Sequence, residues 1–149
     1  MQRLLRATLL VGVSDACFAM VSGWLMRATP PARVWQGVAS VLLGKPALDG
    51  GAAMVALGVV MHFGVAFTWS AVLLAVVQRS YRVRAILDSE YGPLKVASVM
   101  GPLIWLVMSV IVMPSFTGRA VSFTSYWLVQ LVGHVVFVAL PMAWAIRER

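Results

Sequence analysis

The chain is poor in charge and in cysteine. Only 11% of its 149 residues are charged, five of them acidic and twelve basic, and Cys17 is the one cysteine. A lone cysteine excludes an intramolecular disulfide and any cysteine-based metal motif. Soluble domains carry about 25% charged residues, so the composition also excludes an ordinary soluble domain.

Motifs of catalysis and of nucleic-acid binding are missing as well. The sequence contains no nucleophile–base pair at a recognisable spacing, no phosphate-binding glycine loop and no zinc-peptidase motif. Its net charge of +7 does not come from a separate basic domain, because the basic residues lie at the ends of hydrophobic segments, as in membrane proteins. We therefore predict neither an enzyme nor a nucleic-acid-binding protein.

Apolar residues dominate the chain, at 61% of the sequence. A helix needs about 20 such residues to cross the ~30 Å hydrocarbon core of a bilayer. Charged residues delimit four segments of about this length, at residues 4–26, 50–78, 96–113 and 120–146. We predict an all-α integral membrane protein, with one transmembrane domain over residues 1–149 and four helices in an up-and-down bundle. The first segment is predicted to be a retained helix rather than a signal peptide, because Asp15 interrupts its apolar run.

The first outer loop, between the first two segments, has a helical pattern of its own. Two prolines precede this pattern and Gly44 follows it, and its apolar residues recur at helical spacing: Val34, Trp35, Val38, Val41 and Leu42. About a dozen residues are too few to span a bilayer. We predict a short interfacial helix over residues 33–43, with Trp35 at the level of the lipid headgroups. Two roles fit this helix, a lid over the polar ends of the bundle or a surface for a partner protein.

Three ionisable residues lie near the middles of apolar segments: Asp15 in the first, His62 in the second and His134 in the fourth. Such a residue at mid-bilayer costs ~2.5–3.5 kcal/mol on insertion scales, which makes it a candidate for function. The depth of each residue in the bilayer can be estimated from its distance in sequence to the charged residues that flank its segment. The three depths agree to within ~4 Å over a ~30 Å hydrocarbon core. The first helix of an up-and-down bundle neighbours the second and the fourth. We therefore predict a buried polar cluster of Asp15, His62 and His134, with Gln130 as a fourth member one turn from His134.

The second segment carries a stripe of small residues around its histidine. Gly58, His62, Ala66 and Ser70 follow one another at intervals of four, which puts them on one face of a helix. Small side chains let a neighbouring backbone approach closely. We predict that this stripe faces protein rather than lipid.

Prolines inside the later segments predict kinks. Pro102 follows Gly101 in the third segment, and Pro141 lies in the fourth. Because proline cannot donate a hydrogen bond to the carbonyl four residues earlier, a helix bends or changes its hydrogen bonding there.

Several short motifs are spread along most of the chain. They are the run from Val38 to Gly44, Asp49-Gly50-Gly51, Ala56-Leu57-Gly58 with His62-Phe63, the lone Asp15, and the ending from His134 to Leu140-Pro141 and Ala143. Together they resemble a group of small, uncharacterised bacterial inner-membrane proteins. The resemblance implies a four-helix protein of the bacterial inner membrane, and it implies no particular activity, substrate or cofactor.

Three functions are consistent with the predicted cluster. The first is a structural or accessory membrane subunit, in which polar side chains fix the register of the helices. The second is a small proton-coupled transporter, since a histidine beside a carboxylate can exchange protons near neutral pH. The third is a subunit that binds haem or a chlorophyll-type pigment through His62 and His134.

The sequence predicts no metal site, and it favours no cofactor over the role of a structural subunit. An absorption spectrum of the purified protein would separate the third function from the other two. The expected partners are the lipid bilayer and either further copies of the chain or a larger membrane complex.

The basic residues are unequally divided between the two ends of the segments. One side holds eight and the other four: Arg3, Arg6, Arg79, Arg82, Arg84, Lys95, Arg147 and Arg149 against Arg27, Arg33, Lys45 and Arg119. Cytoplasmic loops of membrane proteins are enriched in Lys and Arg. Both termini are therefore predicted to be cytoplasmic.

Reporter fusions test this topology. A fusion after Arg149 should report the cytoplasm, and a fusion in the loop near Arg119 should report the opposite side, because an odd number of spans separates the two positions. The same side for both fusions would contradict the four-span topology.

Overall fold

A computed structural model of the chain describes residues 1–147, and this range is helical with short connections. Arg149, counted above among the basic residues, lies outside the described residues. Six helices account for the fold: α1 (Gln2–Arg27), α2 (Pro31–Leu43), α3 (Gly51–Arg79), α4 (Tyr81–Asp88), α5 (Gly92–Thr117) and α6 (Ser125–Ile146). A short 3-10 turn, Lys45–Asp49, joins α2 to α3.

Four of these helices, α1, α3, α5 and α6, are long and apolar enough to cross a membrane, with mean hydropathies of 1.7, 2.0, 2.3 and 1.9 over their most apolar stretches. The all-α class and the four candidate spans predicted from the sequence are confirmed. These features suggest a membrane-embedded protein. Below, the end of the bundle where α1 begins is called the amino-terminal side, and the opposite end is called the α2 side.

The boundaries of the third and fourth spans differ from the predicted ones. The third begins at Gly92 rather than residue 96, because a charged Lys95 is tolerated in a first turn, where its amine reaches Ser89 Oγ at 3.1 Å. The fourth begins at Ser125 rather than residue 120, because the Thr124 side chain accepts a hydrogen bond from the backbone N–H of Trp127 and caps the helix there. The helix α4 was not predicted.

The packing order of the spans differs in one respect from a closed up-and-down bundle. Helix α1 packs against α3 on one side and α6 on the other, and α6 in turn packs against α5. Within residues 1–147, α3 and α5 make little direct contact, although they are consecutive spans. On the α2 side, α2 packs along α3 and reaches the last turn of α5, Met113–Thr117. Half of the apolar stretch of α6 is buried, the largest share of the four, so α6 is the central helix.

The close packing of α2 on α3 depends on Gly58. A Cβ atom at this position would lie 2.0 Å from the carbonyl oxygen of Trp35, so no other residue fits without moving α2. This approach turns the indole of Trp35 into the protein, where it is 8% exposed and its ring lies 5.3 Å from that of His62. Trp35 therefore faces the protein rather than the surroundings of α2, and its level relative to the lipid headgroups stays a prediction. The helix also begins two residues earlier than predicted, with Pro31 in its first turn.

Helix geometry changes where prolines interrupt the hydrogen bonding. Helix α5 continues through Pro102, but Val107–Val112 of α5 and His134–Ala139 of α6 are π-helical. Each π-helical segment is followed within two residues by a proline, Pro114 or Pro141, which lacks the N–H that would bind the carbonyl four residues earlier. The prolines therefore widen the helical turns that precede them.

Replacing Gly58 with leucine should lower the free energy of unfolding in detergent by about 1–3 kcal/mol, because the added side chain overpacks the contact with α2. The matched control is Gly64→Leu on the same helix, where an added Cβ meets nothing within 4 Å. Equal stabilities of the two variants would show that α2 does not pack on this face.

Candidate polar site between α1, α3 and α6

The side chain of His62 connects α3 to the main chain of α1. Its Nε2 lies 2.9 Å from the carbonyl oxygen of Gly12. A carbonyl can only accept, so Nε2 carries the hydrogen and donates it. The contact is reached because Gly12 has no side chain: a Cβ there would lie 2.3 Å from the ring of Phe63, the next residue of α3.

The other ring nitrogen of His62 faces Asp15. The distance from Nδ1 to Asp15 Oδ2 is 3.9 Å, and the side chains of His62 and Asp15 are 12% and 19% exposed. This separation is within ion-pair range but longer than a hydrogen bond. Because Nε2 already carries a hydrogen, any further proton bound by this pair would lie on the carboxyl or on Nδ1. In apolar surroundings either arrangement costs less than an isolated charge.

His134 lies near this pair without bonding to it. Its Nδ1 donates to the carbonyl oxygen of Gln130, 2.8 Å away and one turn earlier on α6. The residue is 8% exposed, and its ring lies 4.7 Å from the ring of Trp105 on α5. Asp15 interacts electrostatically with His134 as well as with His62. The three predicted residues thus form one electrostatic group, in which the closest contact is that between Asp15 and His62.

Gln130 takes a different role from the predicted one beside His134. Its Nε2 donates to Ser22 Oγ at 2.9 Å, which links α6 to α1. A second link between the same helices comes from Ser14, whose hydroxyl donates to the carbonyl oxygen of Phe137. This carbonyl is the one that Pro141, four residues later, cannot bind.

Ser14 and Ser22 were not singled out from the sequence. Two signals point to them: they are eight residues apart, which places them on one face of α1, and Pro141 predicts a carbonyl in need of a donor at position 137.

The small-residue stripe of α3 lies against protein in the structure. Gly58 is buried under α2, Ala66 is 5% exposed within the core, and Ser70 is fully buried. The core that Ala66 joins is formed by residues of α1, α3, α5 and α6 together with Leu87 of α4.

The two histidines are partly committed to backbone hydrogen bonds. A haem iron would take one nitrogen from each of the two histidines, and a pigment magnesium would take one nitrogen from a single histidine. Nε2 of His62 and Nδ1 of His134 bind carbonyls, which leaves Nδ1 of His62, facing Asp15, and Nε2 of His134. Among residues 1–147, no group of three or more His, Cys, Asp or Glu side chains is arranged to hold a metal ion.

Comparisons with protein-family models, with curated proteins and with solved structures found no match to this chain. The resemblance to small bacterial inner-membrane proteins therefore stays a prediction.

The interaction of Asp15 with the histidines is testable by double-mutant cycles. Asp15→Asn combined with His62→Asn should be non-additive in unfolding free energy by more than the ~0.3–0.5 kcal/mol of independent sites, because the two side chains lie 3.9 Å apart. The cycle with His134→Asn should also be non-additive, because Asp15 interacts electrostatically with His134 as well.

A cycle of Asp15→Asn with Thr68→Val is the control, because the hydroxyl of Thr68 is exposed and bonds only to the carbonyl of Gly64 in its own helix. Additivity in both histidine cycles would mean that the three residues share a depth by coincidence.

Proposed function

We propose that the chain is a small multi-pass protein of the bacterial inner membrane, with both termini in the cytoplasm, and that it serves as a structural or accessory membrane subunit. Its location and orientation are supported by the excess of basic residues on the amino-terminal side and by the resemblance described above. Its role is supported by the hydrogen bonds that the polar side chains of the site make between helices.

The observation that carries the proposal is the bond from His62 to the Gly12 carbonyl. This bond ties one imidazole nitrogen to the main chain of a neighbouring helix, as expected of a side chain that holds two helices together, and it leaves only Nδ1 for any exchange of protons. A main-chain acceptor in the middle of α1 fixes the height of α3 against α1, because sliding by one residue moves the acceptor by about 1.5 Å.

Two further bonds hold α6 against the opposite face of α1. Ser14 binds the Phe137 carbonyl and Gln130 binds Ser22. Interhelical hydrogen bonds in membranes contribute about 0.6–2 kcal/mol each. Each is modest, yet together they set the relative heights of three helices that apolar packing alone leaves free to slide.

The outer faces of the spans remain available to lipid or to other subunits. Only 28%, 17% and 22% of the apolar stretches of α1, α3 and α5 are buried inside the protein. An accessory subunit needs such faces to pack in a larger membrane complex or against further copies of itself, and a rigid interior keeps those faces in a constant arrangement.

A proton-coupled transporter is the second candidate, and the Asp15–His62 geometry favours it. Nδ1 of His62 and Oδ2 of Asp15 lie 3.9 Å apart, and both side chains are partly exposed. A proton held between weakly bound partners can be passed on more readily than one in a short hydrogen bond, provided that each side of the membrane can reach the pair in turn.

Stability and proton flux distinguish the two candidates. His62→Phe keeps a ring but removes the donor to Gly12, so a structural role predicts a loss of about 0.6–2 kcal/mol in unfolding free energy in detergent. The control on the same helix, Thr68→Val, should change it little. Equal stability of His62→Phe and the unmodified protein would contradict the structural role.

In proteoliposomes that contain a pH-sensitive dye, a structural subunit should pass no more protons than empty vesicles under a pH gradient. A flux above that background, lost in Asp15→Asn and retained in Cys17→Ser on the same helix, would instead establish the transporter.

A further inference from the structure

Three buried polar atoms of α5 and α6 have no hydrogen-bond partner among the described residues: Nε1 of Trp105, Oγ of Ser109 and Nε1 of Trp127. The rings of Trp105 and Trp127 are 6.0 Å apart, and that of Trp105 is 4.7 Å from the ring of His134. Ser109 follows Trp105 by one helical turn and is 8% exposed. We call Trp105, Ser109, Trp127 and His134 the indole cluster.

The indole cluster offers both donors and acceptors of hydrogen bonds to a bound molecule. The two indoles can only donate, and a serine hydroxyl can donate and accept. The neutral ring of His134 uses Nδ1–H on the Gln130 carbonyl, so its Nε2 is an acceptor. Trp105, Trp127 and His134 thus bring two donors and one acceptor to the contact between α5 and α6, and Ser109, one turn beyond Trp105, adds one group of either kind. No pair of them bonds within the described chain.

Two members of the indole cluster also lie in the π-helical segments of the protein. Ser109 lies in the π-helical segment Val107–Val112, and His134 opens the second such segment, His134–Ala139. Segments of this kind occur mostly at functional sites, because they re-aim side chains and leave backbone groups unevenly paired. Below the cluster, Gly101 brings the two helices into backbone contact: a Cβ there would lie 2.6 Å from Val135 Cα. The polar groups therefore lie just beyond the tightest contact of the pair.

We propose that the indole cluster binds ordered water between α5 and α6. A water molecule accepts two hydrogen bonds and donates two, which suits two indole N–H groups, an imidazole nitrogen and a hydroxyl. Buried polar groups without partners are costly among apolar helices, and bulk water does not reach them there. The inference goes beyond a structural role, because Trp127 lies in the first turn of α6 and bound water would connect His134 toward the α2 side.

Radiolytic labelling with ¹⁸O-labelled water tests the proposal on the unmodified protein in detergent. Hydroxyl radicals formed from bound water label the side chains beside it, so Trp105 and Trp127 should incorporate ¹⁸O. Met142 is the internal control, because its reactive side chain is completely buried in the apolar core. Labelling of both indoles well above that of Met142 supports bound water, and labelling no greater than that of Met142 overturns it.

A substitution gives an independent readout with a predicted sign. If Ser109 binds water, Ser109→Ala should lower the midpoint of thermal unfolding by roughly 2–4 °C. If its hydroxyl has no partner, alanine removes a cost and the midpoint should stay or rise. Ser70→Ala is the matched control, since Ser70 on α3 is also buried and unpartnered within the described residues but lies outside the cluster. An unchanged or raised midpoint in Ser109→Ala would remove Ser109 from the water site and overturn the proposal as stated.

Discussion

The contact on which the rest of the site depends is the hydrogen bond from His62 to the main chain of α1. It joins residues 50 positions apart and sets which nitrogen of the imidazole carries a hydrogen. With Nε2 occupied, Nδ1 is the nitrogen that faces the Asp15 carboxyl, 3.9 Å away. The position of Asp15 opposite His62 agrees with this bond, because both contacts join α3 to the middle of α1.

Glycine and proline, which weaken a helix, make these contacts between helices possible. Glycine at positions 12 and 58 lets a neighbouring ring or backbone fill the space of a side chain, so His62 meets α1 on one side and Trp35 on the other. Pro141 leaves the carbonyl of Phe137 in need of a donor, and Ser14 supplies it from α1. In a soluble helix such residues would be tolerated near water. Among apolar helices each must be matched by a partner from another segment.

The central position of α6 explains why the polar groups converge on one region of the protein. Helix α1 binds it through two serines, and α5 meets it where Trp105 lies against Trp127 of α6 and at a close backbone contact at Gly101. His134 therefore lies between the polar face of α1 and the aromatic face of α5. The placement of α2 over the Asp15–His62 pair favours the lid among the two roles considered for that helix, because Trp35 covers the imidazole rather than facing outward.

The sequence by itself determined the helical class, the four apolar segments and the residues that carry polar chemistry within them. These follow from composition, segment length and local periodicity, which are properties of neighbouring residues. Tertiary structure decided that Trp35 turns inward, that α3 and α5 scarcely touch, that Gln130 binds Ser22, and that His62 binds a carbonyl. The reason is physical: every residue has a carbonyl, so the sequence does not mark which one accepts a hydrogen bond. That choice depends on how helices distant in the chain cross.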